Sequence, residues 1–154
     1  ITHLVSDSNT SIKKLTRESN IQTIDCLVHK IRGMKRKFYT LSLSEQIVGK
    51  TTSPQFKYIR SQLCETLANR LSLELRFMRN KHKGNINNFL RDVERLTHII
   101  IPCLSGSRGM CKISSYCNGQ NIKKQLPNKM YLKPTPTDSK LLQQCIDCRR
   151  HASI

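Results

Sequence analysis

The chain has 154 residues, with 27 Lys and Arg against 10 Asp and Glu, a formal charge of +17, and seven cysteines. Such a length predicts one domain with a real core. A hydrophobic share of 37% excludes a wholly disordered chain, and the lack of any long apolar run excludes a transmembrane helix.

The charge excess favours a polyanionic partner such as nucleic acid, anionic lipid or sulfated glycan. The cysteine count fits an oxidising compartment or a metal site. The first residue is Ile and no charged-then-apolar leader precedes the body. That start reads as a processed mature form or a fragment.

Residues 1–19 are rich in Ser, Thr and Asn and read as a loose arm. Asn9-Thr10-Ser11 is an N-glycosylation sequon within it. From Ile21 the pattern turns helical, with Ile21, Ile24, Val28, Ile31 and Met34 on a stripe and Asn20 as its cap. Lys30, Arg32, Lys35, Arg36 and Lys37 crowd its C-terminal half, where the helix dipole favours cations. The segment from Tyr39 to Lys50 fits helix, strand or loop equally.

Ser53 to Cys103 reads as a helical hairpin. Ser53 and Pro54 are start signals. Phe56, Ile59, Leu63, Leu67, Leu71, Leu75 and Met78 then recur at helical spacing. Gly84 ends this helix, and Asn85 caps a second one carrying Ile86, Phe89, Leu90, Val93, Leu96 and Ile100, closed by Pro102. Cys64 and Cys103 lie about equally far from the turn. At about 1.5 Å of rise per residue they reach the same height, and axes about 8–10 Å apart allow a bridge. A Cys64–Cys103 disulfide is therefore expected.

Residues 104–137 hold most of the Gly and Pro and form a long crossover, which Cys111 and Cys117 can strap to the core. Asp138 caps a short last helix with Leu141, Leu142, Cys145 and Cys148 on one side. Four helices with one short central link and two long outer links predict an all-α, up-up-down-down four-helix bundle. One domain spans residues 1–154.

Catalysis finds no support. There is no Gly-rich phosphate loop, nucleophile elbow, H-E-x-x-H or paired carboxylates, and a His98–Cys103 pair has nothing to select it. Glu65, Glu74 and Glu94 read as surface ion-pair partners. A competing reading takes Cys145-x-x-Cys148-x-x-His151, with Cys111 or Cys117, as a zinc site in a small basic nucleic-acid-binding protein. Its cysteine spacings are loose, and the basic residues are not interleaved with Tyr39, Tyr58 and Tyr131 as a stacking platform. No cofactor is implied, and nucleic acid is not the expected partner. The basic first helix equally suits heparan-type glycans.

The hairpin resembles a known family. Phe56-Lys57, Gln62-Leu63-Cys64-Glu65 and the run from Asn88 to Gly106 are similar to the second and third helices of interleukin-7, and more generally to the short-chain four-helix cytokines of the interleukin-4/interleukin-7 group. The likeness covers about the middle third of the chain. It implies a secreted, non-enzymatic ligand that assembles a class I cytokine receptor, an interleukin-7-type alpha chain with a common gamma-type chain. It implies the same Cys64–Cys103 bridge, and a second one from Cys26 to Cys145 or Cys148. Receptor-facing positions would be Asn87, Arg91, Glu94, Arg95 and His98 on the third helix, with Lys30 and Lys35 on the first. The last helix is shorter than the family's, and seven cysteines leave one unpaired.

Overall fold

The structure, a computed structural model, describes residues 3–6, 22–25, 27–118, 120 and 122–147. Asn9, Asn20, Cys26, Cys148 and His151 lie outside the described residues. Among the described residues the fold is helical apart from one strand pair. Strand β1 (His3–Ser6) runs parallel to β2 (Gln22–Asp25), with His3 opposite Gln22 and Ser6 opposite Asp25. Thr23 and Ile24 are β-branched residues suited to that extended path. The first helix consequently starts later than its apolar spacing suggests.

That helix, α1 (Leu27–Phe38), buries Met34 and Phe38 and half-buries Leu27 and Ile31. Its working stripe is 27, 31, 34 and 38. Val28 belongs to the outer face and is 52% exposed. Gly33 stays within the helix. The ambiguous segment resolves into a one-turn helix, α2 (Glu45–Val48), which places Ile47 and Val48 in the core.

The hairpin is the longest part of the fold. Helix α3 (Phe56–Lys81) starts one turn after the signals at Ser53 and Pro54. Ser53 instead accepts a bond from the Gln55 N–H at 3.3 Å. Leu63, Leu67, Leu71, Leu75 and Met78 are buried as their spacing predicts, but so are Cys64, Thr66, Ala68, Arg70 and Glu74. Gly84 sits at φ +79°, a left-handed turn that favours glycine. Asn85 then caps α4 (Ile86–Leu104), its side chain accepting from the Asn88 N–H at 3.1 Å. Pro102 lies inside the last turn of α4. Leu90, expected on the buried face, is 48% exposed.

The crossover contains a short helix, α5 (Gly109–Ser114), and two 3-10 turns at Lys123–Gln125 and Pro127–Lys129. It folds back on its own start, since Leu132 N–H donates to Leu104 O at 2.9 Å. Helix α6 (Pro136–Ile146) begins with Thr135 as N-cap in a reciprocal capping box with Asp138. Asp138 is therefore the third helical residue and not the cap. Its two carboxylate oxygens also accept from Ser44, the backbone N–H at 2.8 Å and the hydroxyl at 2.5 Å.

The chain directions correct the expected topology. Lys35 meets Glu65 at 2.7 Å, while Arg60 donates to the Tyr39 carbonyl at the other end of the contact. As the number rises along α1 it falls along α3, so the two are antiparallel. Helices α3 and α4 are antiparallel across the hairpin, with Arg70 beside Cys103 and His82 beside Asp92. Helices α1 and α6 are antiparallel too, since Met34 is beside Cys145 near the end of α6 while Ser44, beyond the end of α1, holds Asp138 at its start. The order is thus up-down-up-down. A long link permits parallel neighbours but does not force them, and residues 39–55 spend their length on α2 and reverse direction. Helix α1 packs on α3 and α6, while α4 packs on α3, α5 and α6. No helix among the described residues is long and apolar enough to cross a membrane.

Candidate functional site

Two places gather the residues with chemistry: the junction where α4 ends against the crossover, and the outer face of α4. At the junction, Cys103 comes from the last turn of α4, Cys111 from α5, and Cys117 from the turn after it. All three are buried, and their Sγ atoms lie within 4.8 Å of one another. The crossover residues expected to act as a strap do meet the core here, and they meet it at Cys103.

Two arginines flank the sulfurs. Arg70 Nη1 is 3.7 Å from Cys103 Sγ, and Arg108 Nη2 is 3.5 Å from Cys117 Sγ. Cys111 Sγ donates to the Arg108 carbonyl at 3.3 Å. Arg70 is held in place by its neighbours. Its Nε pairs with Glu74 Oε1 at 2.8 Å, its Nη2 reaches Ser115 Oγ at 2.9 Å, and its guanidinium lies 5.2 Å from the Tyr116 ring centroid. Ser115 Oγ also donates to Glu74 and accepts from the Cys117 N–H at 3.1 Å. The pair is satisfied on all sides, as a charge at 2% and 0% exposure requires.

Burial pushes the Cys103 thiol up to about 12, with Arg70 opposing. Burial also works against ionisation of Cys117. Arg70 and hydrogen bonds from Cys103 and Cys111 outweigh it, so Cys117 lies below the ordinary thiol value. The electrostatics thus set Cys117 apart from Cys103 as the readier of the two to lose its proton.

The expected Cys64–Cys103 bridge is absent: both are free thiols, and they face different ways. Arg70 touches Cys103, and it sits six residues beyond Cys64. At about 100° per residue that places them about 120° apart around α3. Cys64 instead hydrogen-bonds with Tyr39 and lies in the neighbourhood of Glu65, Lys35 and Cys145. The same register leaves Cys64 about 9 Å away from the level of Cys103 along α3. Cys111 and Cys117 are free thiols as well, and the described Cys145 donates to the Met34 carbonyl at 3.4 Å. Cys145 is thus not part of the three-sulfur group, as the zinc arrangement with Cys111 or Cys117 would require.

On α4, Asn87, Arg91, Glu94, Arg95 and His98 are all exposed and follow one helical stripe. Leu90 lies among them. The α1 positions differ: Lys35 is half-buried and paired with Glu65, and Lys30 is half-buried. Lys37 donates to the Gln144 carbonyl at 2.9 Å, leaving Arg32 and Arg36 as the exposed part of that basic cluster. Exposed His98 and buried Cys103 do not form a pair.

Arg70, Ser115 and Arg108 were not singled out by the sequence. Glu74, expected at the surface, is fully buried, whereas Glu65 and Glu94 are exposed. One signal was available: Arg70 and Glu74 are spaced i, i+4 directly beside the Leu67, Leu71, Leu75 stripe. No protein-family model, curated protein or solved structure matches the chain.

Proposed function

We propose that the chain is a secreted, non-enzymatic helical ligand, cytokine-like, that binds and assembles class I cytokine receptor chains on lymphoid-type cells. An interleukin-7-type alpha chain and a common gamma-type chain are the partners that its hairpin sequence suggests. The observation that carries this reading is the outer face of α4. Five polar residues at the family's receptor-facing positions are exposed in one stripe, with Leu90, 48% exposed, set among them. An apolar side chain ringed by Arg and polar groups is the make-up of a protein-recognition patch. The up-down-up-down order departs from the connectivity of that family, so the reading draws on the hairpin sequence and this face alone.

Binding of heparan-type glycans is a secondary property of the same ligand. Arg76, Arg79, Lys81 and Lys83 are exposed at the free end of the hairpin. Retention on a heparin column well beyond that of a neutral protein of equal size is the expected result, and elution at low salt removes this property.

A second reading, a zinc-stabilised nucleic-acid-binding protein, is favoured by the three converging thiols together with the +17 charge. The two separate in one binding assay. Immobilised ectodomains of class I cytokine receptors are expected to capture the chain at physiological salt. Failure with every ectodomain, alongside salt-sensitive capture on nucleic acid, selects the second reading.

A further inference from the structure

We infer that Cys103 and Cys117 form a disulfide that staples the crossover to the end of α4, leaving Cys111 as the odd thiol among the three. The inference rests on the secreted reading, because it needs an oxidising compartment.

The three sulfurs all lie close together, and their hydrogen-bond partners favour this pair. Arg70 reaches the Cys103 sulfur at 3.7 Å and Arg108 the Cys117 sulfur at 3.5 Å, and Cys117, held below the ordinary thiol value, is the one poised to attack. Cys111 is otherwise engaged, donating its proton to the Arg108 carbonyl. The sulfurs stand within 4.8 Å of one another. A disulfide of about 2 Å requires the two sulfurs to close by less than about 3 Å. The Cys117 N–H bond to Ser115, and Ser115's bonds to Arg70 and Glu74, fix the backbone of the turn that presents the second sulfur.

The chemistry balances with a small disulfide such as oxidised glutathione as the oxidant. Cys117 gives up its proton to solvent, and its thiolate attacks one glutathione sulfur. A mixed disulfide forms and one glutathione thiolate leaves. Cys103, deprotonated in turn, attacks the Cys117 sulfur, and the second glutathione departs. Two cysteine thiols are oxidised and one glutathione disulfide becomes two thiols. The step belongs to folding, before the site closes. Burial then shields the bond from reductants.

The test is disulfide mapping by mass spectrometry of the chain made through a secretory pathway, with free thiols alkylated before digestion. A Cys103–Cys117 cross-linked peptide and alkylated Cys111 are expected. Cys111→Ser should keep the cross-link, and Cys117→Ser should lose it and leave Cys103 alkylatable. A Cys64–Cys103 bridge, a Cys103–Cys111 bridge, or three alkylatable thiols with one bound zinc per chain would each overturn the assignment. The wild-type map needs no variant to fold. Receptor capture is read separately: a mapped bridge without capture removes the ligand reading alone, and capture with all three thiols free removes the bridge alone.

Discussion

Arg70 and Glu74 form an ion pair of 2.8 Å in the interior, one helical turn apart on α3, with 2% and 0% of their side chains exposed. Burial works against the Arg70 charge, yet Glu74 beside it holds the guanidinium above its ordinary value. A pair this deep costs desolvation, and its energetic signature is asymmetry. Arg70→Met or Glu74→Leu alone should destabilise the fold by about 3–5 kcal/mol, because each leaves a buried charge or its partners uncompensated. Arg70→Met with Glu74→Leu should cost clearly less than the sum of the single changes. Urea denaturation of the four proteins measures this, and additive losses would show that the pair is not coupled.

The packing of α1 against α3 makes its own prediction. Lys35 Nζ lies 2.7 Å from Glu65 Oε1. Carbodiimide treatment, which joins an amine to a carboxylate without a spacer, should yield a Lys35–Glu65 cross-linked peptide. Absence of that product would contradict the packing of α1 on α3.

Helix content and the hairpin were legible in the sequence because spacing and caps are local. Phe56 to Met78, Gly84 and Asn85 behave as their chemistry requires. The order of the bundle was not, because link length bounds the geometry without choosing it, and α2 absorbed the length of residues 39–55. The Cys64–Cys103 expectation failed for a similar reason: distance from a turn does not fix the register, and Arg70, six residues beyond Cys64, takes the place beside Cys103. The α4 face was readable as a polar stripe. The junction was not, since Ser115 and Arg108 sit in a stretch without period, and only the fold brings them to Arg70 and the thiols.

Asp138 should make part of the stability depend on pH. Burial alone would raise its carboxyl. The side-chain and backbone hydrogen bonds from Ser44, and those from Thr135, overcome that and hold it below the ordinary value. The unfolded chain, with an ordinary value of about 3.9, then binds the proton more readily. The stabilisation is complete above that value and is lost as the pH falls through the lower folded one. Asp138→Asn should cost about 1–3 kcal/mol at neutral pH. It should also flatten the fall in stability on acidification below about pH 5. An unchanged acid slope in denaturant melts at stepped pH would count against this role.

The outer face of α4 carries the functional claim, and charge reversal there tests it most directly. Arg91 and Arg95 are exposed, so Arg91→Glu with Arg95→Glu should leave the melting transition in place. The decisive measurement is surface plasmon resonance of wild type and this double variant on immobilised class I receptor ectodomains. Wild-type capture with affinity at least about tenfold weaker in the variant, about 1.4 kcal/mol, is the predicted result. No capture by any ectodomain, or equal capture of both proteins, would contradict the account.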